Sequence, residues 1–149
     1  MAEVLFYHLE QAKLETVLPD LLAKTLERGW RATVRVGADD KLEHLENLLW
    51  TYADESFLPH GSAGDSTDHP VWLTTETDLD ANRDLLFLVE GAEVELAEIE
   101  HLTRCISIFD GADENALNKA RQFWKDLKGS EHQPTYWRQS VQGRWEKQG

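Results

Sequence analysis

Val4-Leu5-Phe6-Tyr7-His8-Leu9 opens the strand–helix–strand run on which the fold turns. The segment is short, apolar and rich in β-formers, so it reads as a buried strand. Leu14, Val17, Leu18, Leu21, Leu22 and Leu26 then recur at helical spacing over about 11–28, and Gly29 stands where such a helix stops. Pro19 falls inside this stretch, and a helix that starts later, with Pro19 in its first turn, is the alternative. Ala32-Thr33-Val34-Arg35-Val36-Gly37 is the second strand.

The same alternation continues outward. Asp39 or Asp40 caps a second helix carrying Leu42, Leu45, Leu48, Leu49 and Tyr52. Residues 54–70, with Gly61, Ser62 and Gly64, hold no period and read as a long loop. Val71-Trp72-Leu73-Thr74 and Asp84-Leu85-Leu86-Phe87-Leu88-Val89 are the third and fourth strands, joined by a polar connection. A short helix over 96–102 precedes a fifth strand, Arg104-Cys105-Ile106-Ser107-Ile108-Phe109-Asp110. Asp113 caps a last helix over about 114–128, which Gly129 ends. Strands alternating with helices predict an α/β fold, a three-layer α/β/α sandwich with a mostly parallel sheet of about five strands. Residues 1–149 are expected to form one domain, with 132–149 a C-terminal extension packed on it.

Composition removes several classes of function. The 149 residues carry 28 acidic and 15 basic side chains, a net charge of −13. Such a surface repels phosphate backbones and anionic lipid at long range. Neither strong direct nucleic-acid binding nor membrane docking is expected. No apolar run approaches the ~20 residues that cross a bilayer, and Met1-Ala2-Glu3-Val4, without a basic stretch leading into an apolar one, gives no expectation of a secretory signal. The single cysteine, Cys105, allows no internal disulfide and fits a reducing cytosol, so a cytoplasmic location is expected.

Charge is unevenly distributed. Residues 1–116 carry −17, whereas residues 117–149 carry +4. Cations gathered at the end of a last helix would favour its dipole, which is one explanation. A binding surface is the other.

Few motifs in the sequence carry chemistry. Gly61-Ser62-Ala63-Gly64 is not followed by Gly-Lys-Ser/Thr, and no Gly-x-Gly-x-x-Gly occurs, so a phosphate loop is not indicated. His60-Gly61-Ser62-Ala63-Gly64 is not a nucleophile elbow. Cys105 lies in an apolar strand and reads as an inert core residue. His60, Asp65, Asp68 and His69 share one loop, and imidazole with carboxylate suits zinc or manganese. A metal-dependent hydrolase built on that loop is therefore a second hypothesis, although the spacing matches no closed motif and polar loop residues serve solubility. No cofactor is otherwise implied.

The tail of the chain is more informative. Ala116, Ala120, Phe123 and Leu127 recur at spacings of 4, 3 and 4, a core-facing stripe. Arg121, Lys125 and Lys128 follow spacings of 4 and 3, so one rim of the helix is cationic, and Trp124 stands beside them. Tyr136, Trp137 and Trp145 follow. An aromatic wall edged by cations suits a ligand with one apolar side chain and one carboxylate. Ordinary core packing of Trp124 and Trp137, with a solvated cationic edge, is the other account.

These residues resemble the chi subunit family of bacterial DNA polymerase III. Phe6-Tyr7, Leu49-Trp50 with Glu55-Ser56-Phe57-Leu58-Pro59-His60, Pro70-Val71, Ile106 to Gly111, Arg121-x-x-Trp124-Lys125 and Thr135-Tyr136-Trp137-Arg138-Gln139 carry the resemblance, which covers nearly the whole chain. The loop 61–70 and the acidic stretch 76–100 depart from the family pattern. The resemblance implies a non-enzymatic replisome adaptor. It would bind the acidic, Phe-ended C-terminal tail of single-stranded DNA-binding protein (SSB) and join the clamp-loader complex through the psi subunit or another of its subunits. The tail site would comprise Lys119, Arg121, Trp124, Lys125 and Lys128, and the psi surface Trp50, Phe57 and Pro59. A third reading is a plain structural subunit that holds a partner through Trp50 and Phe57.

Overall fold

Alternating side chains of strand β1 (Glu3–Leu9) set the layering: Val4 and Phe6 pack to one side of the sheet, Leu5 and Leu9 to the other. Both sides need cover. Helices α1 (Leu14–Glu27) and α2 (Asp39–Thr51) supply it on the Leu5 side, through Leu14, Val17, Leu18, Leu22 and Leu45. On the Val4 side the cover is a 3₁₀ turn, Leu96–Ile99, and helix α3 (Glu114–Lys128), through Ile99, Ala120 and Leu127. The computed structural model describes residues 3–9, 14–51, 60–61, 71–75, 84–89, 91–92, 94, 96–100, 102–130, 132–139 and 145–147.

The remaining strands in chain order are β2 (Ala32–Val36), β3 (His60–Gly61), β4 (Val71–Thr74), β5 (Leu85–Val89), β6 (Arg104–Asp110), β7 (Gln133–Gln139) and β8 (Trp145–Lys147). Among the described residues they form one sheet in the order β3-β4-β2-β5-β6-β1-β7-β8. All neighbours are parallel except β7 and β8. Strand β1 lies between β6 and β7, with Phe6 opposite both Ser107 and Tyr136. Every residue of β2 and β5 is buried, as expected of parallel strands covered on both faces. Arg35 is the exception in chemistry: its guanidinium pairs with both Glu98 oxygens, at 3.2 and 3.3 Å, and ties the 3₁₀ turn to β2.

The α/β sandwich and its mostly parallel sheet match the expectation from sequence. The sheet is wider than the expected about five strands: eight are present among the described residues. Strand β3 is only 2 residues long, and β7 and β8 come from the segment expected as an extension. In β7 the only rings, Tyr136 and Trp137, are adjacent, so no apolar–polar alternation marks it as a strand. The first helix begins at Leu14 and keeps Pro19 in its interior, not in a first turn. The helix expected over 96–102 is the single 3₁₀ turn. Gly129 ends α3 with φ −90°, whereas Gly29 adopts the left-handed φ of +75° that favours glycine.

Candidate functional site on helix α3

Helix α3 is fixed at its start by Asp113, whose carboxylate accepts from the backbone N–H groups of Asn115 (3.0 Å) and Ala116 (3.3 Å). Its buried stripe, Ala120 and Leu127, seats it on Val4 and Phe6. That anchoring decides which side chains face outward. At about 100° per residue, Arg121, Trp124, Lys125 and Lys128 fall within one sector of about 100°. Arg121, Lys125 and Lys128 are exposed, and Trp124 is half-buried. The Lys128 ammonium lies 5.2 Å from the Trp124 ring centroid, a cation–π contact.

Lys119 points elsewhere. It lies about 140° round the helix from Trp124, and its ammonium donates to the Gly91 carbonyl at 3.4 Å. Of the five residues assigned to the tail site, the structure therefore brings four together. Asp126 is also turned away from the rim, and its carboxylate accepts from the Gln122 amide at 3.0 Å. Lys125 and Lys128 occupy the last turn, where the helix dipole favours positive charge. The result is a local cationic rim on a chain of net charge −13.

The inner side of Trp124 rests on a floor of rings. It meets Phe6 edge-on at 5.4 Å and 69°, and Tyr136 at 6.0 Å and 84°. Phe6 and Tyr136 stack at 6.5 Å and 17°. The Tyr136 hydroxyl is hydrogen-bonded to Nδ1 of the buried His8, and Phe109 packs against both. Gly111 completes this corner, because a Cβ there would land on the His8 imidazole. The indole is thus held in place and partly exposed, with the Lys128 ammonium over its ring and Arg121 and Lys125 exposed in the same sector of the helix. Such a surface can take an apolar group on the ring and an anion on the rim. Tyr136 belongs to the aromatic wall expected from the sequence, whereas Phe6, His8 and Gly111 do not; the three segments that carry them are distant in the chain and only the sheet brings them together.

The expected aromatic wall is divided. Tyr136 packs with Trp124, but Trp137 and Trp145 pack on the opposite face, against Tyr7 and the α1 side. Consecutive residues of a strand point to opposite faces, so Tyr136 and Trp137 cannot share a wall.

Other expected residues give less. Trp50 belongs to α2 by its backbone, while its side chain, Phe57 and Pro59 lie outside the described residues. The same holds for Asp65, Asp68 and His69, with His60 placed only as a residue of β3. Among the described residues no three His, Cys, Asp or Glu groups are gathered to hold a metal ion. Cys105 is buried, and desolvation pushes its thiol up to about 12, which keeps it protonated and unreactive. Among the described residues no helix is long and apolar enough to cross a membrane.

Residues 1–135 match the family described as DNA polymerase III chi subunit, HolC. The chain belongs to this family. A relative in Rickettsia prowazekii (strain Madrid E), "Probable DNA polymerase III subunit chi", is 23% identical over 111 residues. That match covers 73% of this chain and 66% of the relative, just under two thirds of its length. Among solved structures, the chain is similar to the C-terminal domain of S. cerevisiae Dbp5 in a structure with Gle1 and IP6. There the TM-score is 0.53 at 14% identity, covering 91% of this chain and 90% of that one. A second structure, of the C-terminal domain of the DEAD-box protein Dbp5, gives the same values. At that identity the likeness concerns the fold alone.

Proposed function

We propose that the chain is a non-catalytic replisome adaptor. In this proposal the cationic face of α3 binds the acidic, Phe-ended C-terminal tail of SSB. The observation that supports it most directly is a half-open Trp124, with Lys128 at 5.2 Å and Arg121 and Lys125 exposed on the same face. The phenyl ring of the tail packs on the indole, and its terminal carboxylate and aspartates meet the cations. Ordering a short tail offsets much of its contact energy, so a single tail binds weakly, and several tails on one SSB assembly raise the effective affinity. The acidic body, −17 over residues 1–116, disfavours a direct hold on DNA, so the tether runs through protein.

The second contact in the proposal joins the adaptor to the clamp loader, through psi or another subunit, at the surface around Trp50, Phe57 and Pro59. The setting is the cytoplasm. Titration calorimetry with an acidic, Phe-ended peptide tests the tail site. Binding is expected, with loss on Trp124→Ala, strong weakening on Lys125→Glu and partial weakening in high salt, because the phenyl contact is not screened. Absence of any heat or fluorescence change at millimolar peptide refutes the tail site. Co-purification with clamp-loader subunits, lost on Phe57→Asp, tests the second contact.

A further inference from the structure

The opposite face of the sheet carries a second feature that the tail site does not use. Strands β7 and β8 extend the sheet beyond β1 on the side where α1 packs. A cleft of about 500 Å³ lies between that helix and the extended edge. Its walls are unusually aromatic: Tyr7, Trp30, Trp137 and Trp145 all line it. Tyr7 stacks on Trp137 at 6.4 Å and 18° and meets Trp145 edge-on at 4.9 Å. The Trp137 indole N–H donates to the Thr135 hydroxyl at 3.2 Å, which fixes its ring.

The rim of the cleft is positive on an acidic protein. The guanidinium carbons of Arg28 and Arg104 lie 5.1 and 5.2 Å from the Trp30 ring centroid. Lys24 adds a third cation, against Asp20 in the lining and Glu3, which pairs with Arg104 at 3.3 Å. Lys24 and Arg28 are exposed.

We propose that this cleft binds a nucleotide, with the base against the aromatic walls and the phosphate at Arg28 and Lys24. Several planar rings around one cavity favour a flat occupant, because face contact is the interaction they share. Guanidinium groups over an indole are the partners that stack on bases and hold phosphate in single-stranded recognition. The volume lies in the range of clefts that admit one small ligand. No phosphate loop is required, since the phosphate is held by side chains at an open rim. The overall charge of −13 removes long-range attraction, so the site is weak and acts at short range. The occupant is either a free nucleotide or one unit of a single strand, and both present the same base and phosphate.

The test follows the indole N–H signals in the nuclear magnetic resonance spectrum of the intact protein. Deoxyadenosine monophosphate, a short oligo-deoxyadenylate and inorganic phosphate are added separately, up to about 10 mM for the small probes, enough to saturate a Kd near 1 mM. The Trp30, Trp137 and Trp145 signals are expected to shift with a nucleotide probe and not with phosphate, while Trp124 stays in place. A shift with the monophosphate assigns a free nucleotide, and a shift with the oligonucleotide alone assigns a strand; either result supports the cleft. Arg28→Gln, at an exposed position, is expected to weaken binding about fivefold, and salt to weaken it with a slope of about −0.7 per phosphate. Unmoved signals with both nucleotide probes overturn the proposal. So does a shift of these indoles with an acidic, Phe-ended peptide in place of the nucleotides, which makes the face a protein-docking surface.

Discussion

Replacing Gly111 by alanine tests the ring floor beneath Trp124 most sharply. Gly111 has no left-handed φ, so its requirement is steric and not conformational. The added methyl would coincide with the His8 imidazole, which is 8% exposed and hydrogen-bonded to Tyr136. The Phe109 ring packs against the imidazole with centroids 5.2 Å apart, which limits how far the imidazole can move. Overpacking costs about 1–3 kcal/mol. A buried hydrogen bond broken by displacing the ring adds about 1–3 kcal/mol. A net loss of about 3 kcal/mol lowers the melting temperature by about 9 °C in a chain of this length. Thermal denaturation followed by circular dichroism reads this directly. His8→Ala makes space for the methyl, so the double variant should be no less stable than His8→Ala alone, a coupling of about 3 kcal/mol. A Gly111→Ala protein melting within about 2 °C of the parent, or a double variant showing the plain sum of both losses, would refute the proposed corner.

Other consequences follow from the same geometry. Lys125→Glu should raise the Kd for the acidic, Phe-ended peptide about thirtyfold, roughly 2 kcal/mol, whereas Lys119→Glu, on another face of α3, should change it less than about threefold; fluorescence anisotropy with a labelled peptide compares them. Leu127→Ala, at the fully buried anchor of α3, should cost about 3 kcal/mol in denaturant unfolding. Cys105 is raised from 9.0 to about 12, so the folded state holds its proton more tightly than the unfolded state. Its contribution to stability is complete below about pH 9 and declines as pH rises towards about 12. Chemical denaturation across that range should show a loss that Cys105→Ala reduces, and alkylation of the native thiol near neutral pH should be far slower than after unfolding.

The segments that alternate apolar strand and amphipathic helix carry their own reading. Local periodicity determined β1, α1, β2 and β6 because one face, or both, of each must leave water. It equally determined the face of α3 on which Arg121, Trp124, Lys125 and Lys128 stand, since a helix turns by a fixed angle per residue. Strand β7 was not legible in this way, because its two rings serve two different cores and no single-face pattern results. Only the sheet order decided that Tyr136 joins Phe6 beneath Trp124 while Trp137 joins Tyr7 across the sheet. Side-chain direction within an element follows from the backbone repeat, but the choice of neighbours more than a hundred residues away follows from strand pairing. Pairing is settled by the burial of the whole sheet and not by any local run of residues.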